Sequence, residues 1–132
     1  MNHAAGQSGG DKGVRFPSWI AILVGAAMLL EWAVFLLSGS VPEARSEPIA
    51  LSFHLAGELI TALLLIVSAI AVLRAKRWGR PLQLLSLGML VYTLIVSSGY
   101  FAQRGEMAFV VMFGIIFLLA CSAIVAVVRA SL

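Results

Sequence analysis

The stretch MAFVVMFGIIFLLACSAIVAVV, residues 107–128, decides the fold class of this chain. It carries no charged residue, and as one helix rising about 1.5 Å per residue it is long enough to cross the roughly 30 Å hydrocarbon core of a bilayer. Three further apolar runs, at 19–37, 49–73 and 81–102, meet the same length requirement. The sequence therefore predicts four membrane-spanning helices.

The composition agrees with this prediction. Of the 132 residues, 61% are hydrophobic and 11% are charged, whereas a soluble domain has about 25% charged residues. Backbone groups in lipid must be bonded within their own segment, so such runs should be helical. They are also too long, and too uniformly apolar, for barrel strands. We expect an all-α domain at 16–132, preceded by a polar segment, 1–15, without periodicity and therefore disordered.

The basic residues predict the orientation. Seven Lys and Arg fall on one side of the four runs and two, Arg45 and Arg104, on the other. The seven are Lys12, Arg15, Arg74, Lys76, Arg77, Arg80 and Arg129. Basic residues mark the cytoplasmic face, so both termini should be cytoplasmic in a multi-pass inner-membrane protein. Short connections predict an up-down-up-down bundle. Nucleic-acid binding is not expected, because no recognition fold surrounds the basic turn.

A cleaved leader is an alternative for the first run. It has a basic flank, and Ser38-Gly39-Ser40 offers small residues for cleavage. Against cleavage, the run exceeds the usual signal core of about 7–15 residues, and Glu31 interrupts it.

Three ionisable residues lie inside the predicted spans, where a charge costs several kcal/mol and therefore suggests a site. Glu31 is six residues before Leu37, and Glu58 is seven residues after Leu51. Both are therefore about 10 Å below the outer boundary at the helical rise. His54 and Glu58 are four residues apart, on one helix face. We expect Glu31 and Glu58 to face each other across the contact of the first two spans, with His54 nearer the outer surface.

Polar side chains extend this pattern. Thr61 and Ser68 continue the face of Glu58, and the third span has a similar line that ends near Tyr100. Such stripes turn towards the bundle because lipid offers no polar partner. The candidate site residues are Glu31, His54, Glu58, Thr61 and Tyr100.

Three interpretations of the site stay open. Glu31, His54 and Glu58 could ligate a divalent metal such as zinc, manganese or iron. Two carboxylates in low dielectric could instead share a proton or bind an organic cation. The third interpretation is structural, with the same groups only bonding one another. No catalytic signature indicates an enzyme, and no cofactor is required.

The function and partners are constrained only in outline. In the cytoplasmic half of the spans the only polar residues noted are Ser68 and Ser86, and neither is ionisable. A path across the membrane needs polar groups at both depths. The sequence therefore predicts an outward-facing pocket for a proton, cation or small ligand rather than a conduit. The bilayer is the expected partner, and Ala21-x-x-x-Gly25 allows a homodimer or a membrane-protein partner. An accessory structural subunit is the main alternative. A homo-oligomeric small multidrug transporter is a lesser one, because the later motifs of those pumps are missing.

Four motifs carry a family resemblance. They are FHLAGE at 53–58, KRWGRP at 76–81, GMLVYT at 88–93 and GYFAQRGE at 99–106. In these motifs the chain resembles small uncharacterised four-helix prokaryotic membrane proteins. The resemblance implies an inner-membrane location and no particular activity.

The topology can be tested with reporter fusions. A fusion after Arg129 should report the cytoplasm, and one within 40–47 should report the opposite compartment, because the basic residues retain the termini inside. Equal signals from both positions would contradict four spans. A purified chain that begins near Val41 would show that the first run is a leader.

Overall fold

The structure is a computed structural model that describes the backbone of residues 3–39 and 43–132 and the side chains of residues 13–39 and 45–132. Its helices are α1 (His3–Leu37), α2 (Glu43–Ser46), α3 (Pro48–Leu73), α4 (Gly79–Gln103) and α5 (Met107–Ser131). All regular structure in these described ranges is helical.

Four of the helices are long and apolar enough to cross a membrane. These spans are Gly13–Leu37 within α1, and the whole of α3, α4 and α5, each of 25 or 26 residues. At the rise of an α-helix, 25 residues extend about 37 Å, which exceeds the hydrocarbon thickness. The prediction of an all-α protein with four candidate spans is confirmed at this level.

The helix boundaries differ most at the N-terminus. α3 and α4 begin within two residues of their predicted starts, and α5 begins at the predicted Met107. α1 begins at His3, well before residue 19, and continues through Pro17. Hydropathy identifies the apolar part of a helix and misses a polar extension of it. The expected disorder of residues 1–15 stays a prediction.

The connections between the long helices also have defined structure. The short helix α2 lies within the loop between α1 and α3. After α3, Ala75 has a φ of 57°, and the Lys76 N–H donates to the Ala71 carbonyl at 2.9 Å. Gly105 after α4 has a φ of 74°. Both residues close a helix end in a left-handed conformation, which gives terminal carbonyls a donor.

The four long helices form a ring around one core. α1 packs against α3 and α5, and α4 packs against the same two helices. The predicted inward stripe of α3 is confirmed, since Glu58, Thr61, Leu65 and Ser68 are all buried. The buried core cluster comprises Ala21, Leu65, Ala69, Leu87, Leu90, Leu94, Phe113, Ala120, Ala123 and Val127.

The outer surface of the ring is apolar. Leu23 on α1 is 68% exposed, Ile95 on α4 is 58% exposed and Leu118 on α5 is 66% exposed. Water-soluble monomers rarely expose large contiguous apolar areas. Side chains of this kind around a ring of long helices fit a multi-pass membrane protein whose outer surface meets lipid.

Gly25 lies at a close approach of α1 and α3. A Cβ atom at this position would lie 2.8 Å from Cγ1 of Ile66 and 2.9 Å from the Ala62 carbonyl oxygen. The second contact is with backbone, so a side-chain rotation cannot relieve it. Small residues permit such close packing of membrane helices.

Replacing Gly25 by alanine should therefore destabilise the bundle. Moving α1 away from α3 to admit the methyl group should cost about 1–3 kcal/mol, as overpacking does elsewhere. The free energy of unfolding can be measured in mild-detergent micelles by titration with a denaturing detergent, followed by circular dichroism.

The matched control is Gly88→Ala. A Cβ atom there would meet nothing within 4 Å, and alanine favours a helix by up to about 1 kcal/mol over glycine. Its stability should be unchanged or higher. Equal stability of the Gly25→Ala and wild-type proteins would show that α1 and α3 are less tightly packed than described.

Candidate functional site: the Glu58 cluster

Glu58 lies at the contact between α1 and α3, in the half of the bundle away from the basic residues between α3 and α4. It is ten residues from the first residue of α3, Pro48, and is 7% exposed. The apolar neighbours on the other faces of α3 turn this residue inward together with Thr61, one helical turn further along. A carboxylate is thus held among packed helices.

The two carboxylate oxygens of Glu58 have different surroundings. The indole N–H of Trp32 on α1 donates to Oε2 at 3.4 Å, which is a long hydrogen bond. Oε1 is buried and has no hydrogen-bond partner. The nearest cationic candidate, Nε2 of His54, is 3.8 Å from Oε1, close enough for an ion pair when the imidazole is protonated but too far for a hydrogen bond.

His54 lies between Glu58 and the exterior. Its side chain is 42% exposed, against 9% for that of Glu58. The Trp32 ring contacts the imidazole edge-on, with 5.8 Å between ring centroids. Trp32 therefore contacts both Glu58 and His54, and the rings of Trp32 and His54 lie beside the Glu58 carboxylate.

Glu31 completes the group. It precedes Trp32 in α1, is partly buried, and is near enough to Glu58 for the two carboxylates to repel each other when both are ionised. The structure thus places Glu31 within electrostatic range of Glu58, whereas His54 and Trp32 lie directly beside the Glu58 carboxylate. We call Glu31, Trp32, His54 and Glu58 the Glu58 cluster.

The other two predicted residues have different roles. The Thr61 hydroxyl is buried and donates to the Gly57 carbonyl of its own helix at 2.7 Å. It lies one turn deeper in the bundle than Glu58. Tyr100, near the end of α4, accepts a 2.5 Å hydrogen bond from Arg104, and its ring meets Phe101 edge-on.

The described side chains do not form a set of metal ligands. Among residues 13–39 and 45–132, no group of three His, Cys, Asp or Glu is placed to hold a metal ion. Structural and catalytic metal sites use three or four protein ligands. The metal interpretation of Glu31, His54 and Glu58 therefore gains no ligand set from the geometry.

Three polar residues of the described structure were not predicted from the sequence: Trp32, Gln83 and Ser18. Trp32 was not singled out, although it adjoins Glu31. Gln83 on α4 and Ser18 on α1 are fully buried and joined by a 3.1 Å hydrogen bond. Gln83 stands three residues before Ser86 on the polar face of α4, a spacing that could have identified it. Ser18 has no comparable spacing pattern in the sequence. Only its contact with Gln83 in the folded protein shows that it belongs to a polar group.

Comparison with known proteins identifies one family. The family described as Domain of unknown function (DUF8058) matches residues 13–131. No curated protein and no solved structure matches the chain. The match agrees with the expected resemblance to uncharacterised proteins and adds no organism, activity or ligand.

The hydrogen bond between Trp32 and Glu58 can be measured by a double-mutant cycle. Trp32→Phe removes the only donor to Oε2 in the described structure and leaves a buried carboxylate without hydrogen bonds. It should cost about 1–3 kcal/mol in the wild-type background. In a Glu58→Leu background the same change should cost less, giving a coupling energy of at least about 0.5 kcal/mol.

Trp19→Phe is the control, because Trp19 is 56% exposed at the other end of α1. It should change the free energy of unfolding equally in both backgrounds. A coupling energy of zero between Trp32 and Glu58 would contradict the bond.

Proposed function

We propose a function for this chain, which belongs to the family described as Domain of unknown function (DUF8058), from the geometry of the Glu58 cluster. The protein binds a monovalent cation, either a proton or an organic cation, at the carboxylates of Glu58 and Glu31. The bundle presents this site to the side of the membrane away from the basic residues.

One observation carries the proposal: Oε1 of Glu58 is buried and has no hydrogen-bond partner. An ionised oxygen buried between membrane helices without a hydrogen-bond donor is costly. A bound proton or cation removes that cost, because it supplies the missing positive partner. The neighbouring Glu31 carboxylate strengthens the preference for positive charge at this place.

The surroundings of Glu58 favour a proton or an organic cation over a metal ion. Trp32 and His54 offer rings, and an aromatic face attracts an organic ammonium group through its quadrupole. A divalent metal would need further ligands, which the described residues do not group together.

Contacts between the helices support the orientation that we propose. Gly25 meets Ala62 and Ile66, whereas Trp32, further along α1, meets His54 and Glu58, earlier in α3. This order fits antiparallel helices and an up-down-up-down bundle. With seven of the nine Lys and Arg at one end, we place both termini in the cytoplasm and the Glu58 cluster in the outer half of the inner membrane.

A second candidate function is structural. Hydrogen bonds between side chains join different helices, among them those of Trp32 with Glu58, Gln83 with Ser18, and Ser68 with Ser86. In an accessory subunit these bonds would fix helix packing for a partner protein. Glu58→Gln separates the two functions, since the amide keeps the shape and an acceptor oxygen but removes the charge.

The test is binding of tetraphenylphosphonium and of tetramethylammonium to the detergent-purified chain, measured by calorimetry at several pH values. We expect binding that strengthens as pH rises, because protons compete for the same carboxylates. Glu58→Gln should weaken it at least about tenfold, which corresponds to about 1.4 kcal/mol. Proton release on cation addition, read with a pH dye, identifies the proton as the competing ligand.

Glu47→Gln is the matched control, because Glu47 is exposed at the start of α3. It should bind like the wild type. If neither cation binds and Glu58→Gln neither changes proton uptake by the folded protein nor leaves it less stable, the cation function fails. Unchanged proton uptake with lowered stability favours the structural function.

A further inference from the structure

A second buried polar atom without a partner lies nearer the basic end of the bundle. Oε1 of Gln83 has no hydrogen-bond partner, and its residue is fully buried. Together, Oε1 of Glu58 and Oε1 of Gln83 are the two such atoms among the described side chains. Each half of the bundle therefore contains one open acceptor.

The orientation of the Gln83 amide is determined by its neighbour. The Ser18 hydroxyl donates its proton to the Val14 carbonyl at 2.7 Å, so towards Gln83 it can only accept. The amide nitrogen of Gln83 must therefore be the atom that faces Ser18, at 3.1 Å. Exchanging the amide nitrogen and oxygen would replace a hydrogen bond by two facing acceptors. Oε1 consequently points elsewhere in the bundle interior and needs a donor.

Further hydroxyls extend this polar group along α3 and α4. The Ser86 hydroxyl donates to the Gln83 carbonyl at 2.9 Å and lies 3.2 Å from the Ser68 hydroxyl. Ser18, Ser68, Gln83 and Ser86 are all fully buried. We call these four residues the Gln83 group. They come from α1, α3 and α4, and α1 and α3 also carry the Glu58 cluster.

An apolar layer separates the Gln83 group from Thr61 and Glu58. Thr61 and Ser68 are seven residues apart on one face of α3, about 10 Å at the helical rise. Leu65 lies between them on this face. Leu65, together with Leu87 and Leu90 of α4, is buried, with at most 1% of each residue exposed. The sequence alone indicated a pocket rather than a conduit, because Gln83 and Ser18 were not recognised. With them, polar groups exist on both sides of one leucine layer.

We infer that the Gln83 group holds a water molecule and forms the cytoplasmic half of a proton path that reaches Glu58 when the leucine layer opens. This inference rests on the proposed cation function of Glu58. Water is the ligand of the right class, because the open Gln83 oxygen needs a donor. The adjacent serine hydroxyls donate their own protons to carbonyls of their helices, so their oxygens can accept from the same water. Along such a chain each hydroxyl or water accepts one proton and releases another, so no group is consumed.

The path requires that protons enter at one end and leave at the other. At the outer end Glu58 takes up or releases the proton, with Glu31 and His54 as the neighbouring titratable groups. At the other end the proton leaves to water near the start of α4. The closed leucine layer makes conduction slow, and a smaller residue at position 65 should increase it by admitting water.

The experiment is proton flux into liposomes that contain the full chain and a trapped pH dye, driven by a potassium gradient with valinomycin. Leu65→Ala should conduct faster than the wild type. Adding Gln83→Leu, or the nearly isosteric Gln83→Met, should return that flux to the rate of protein-free liposomes, and so should Glu58→Gln. Ser122→Ala is the control, because Ser122 is exposed on α5 and bonds only its own helix in the described structure.

Folding of every variant is checked by circular dichroism and gel filtration, and binding of tetraphenylphosphonium is measured beside the flux. Flux through Leu65→Ala that persists in the Gln83 and Glu58 variants is a nonspecific leak and overturns the path. No flux through either wild type or Leu65→Ala overturns it too. In both cases intact, Glu58-dependent binding leaves the proposed cation function standing. Gln83-dependent flux without cation binding supports the path with the proton alone as the cation.

Discussion

The structure depends on one constraint: lipid offers no partner for polar atoms, so a polar group must be satisfied inside the bundle, by its own helix, by a neighbouring helix or by a bound water. Small hydroxyl residues meet this constraint inside their own helix. Thr61 donates to Gly57, Ser18 to Val14 and, on the outer surface, Ser122 to Leu118, each to the carbonyl four residues earlier. A hydroxyl has one proton, so one such bond satisfies its donor. These residues can therefore be placed almost anywhere without a partner helix.

Longer polar side chains cannot satisfy themselves in this way. Glu58 and Gln83 each carry two polar atoms, and in each residue one atom bonds a neighbouring helix while the other is open. The two open atoms are thus a consequence of side-chain chemistry and of close packing around them. α5 contributes no buried polar side chain in the described part, and packs instead through residues such as Ala120 and Ala123. Among the described residues, the buried polar side chains therefore lie on α1, α3 and α4.

The sequence predicted the features that follow from one helix at a time. The four spans come from run length, and the inward face of α3 comes from the spacing of Glu58, Thr61 and Ser68. Features that need two helices could not be predicted in the same way. Trp32 matters because α1 approaches α3 at Gly25, and Gln83 matters because α1 places Ser18 against α4. Neither the rotation of α1 nor its vertical position relative to its neighbours follows from hydropathy. The length of α1 before Gly13 was likewise hidden, since its residues are polar.

The energetics of Glu58 are the reason why we propose a ligand there over a purely structural role. A buried ionised group is often replaced by an apolar residue with no loss of stability, because desolvation of the charge offsets its attractions. Here the attractions are modest: one long indole hydrogen bond and an imidazole at 3.8 Å. A leucine would fill the space, and a glutamine would keep an acceptor for Trp32 without the charge. What only a carboxylate provides at this place is affinity for a proton or a cation, and the open oxygen is the atom that would hold it.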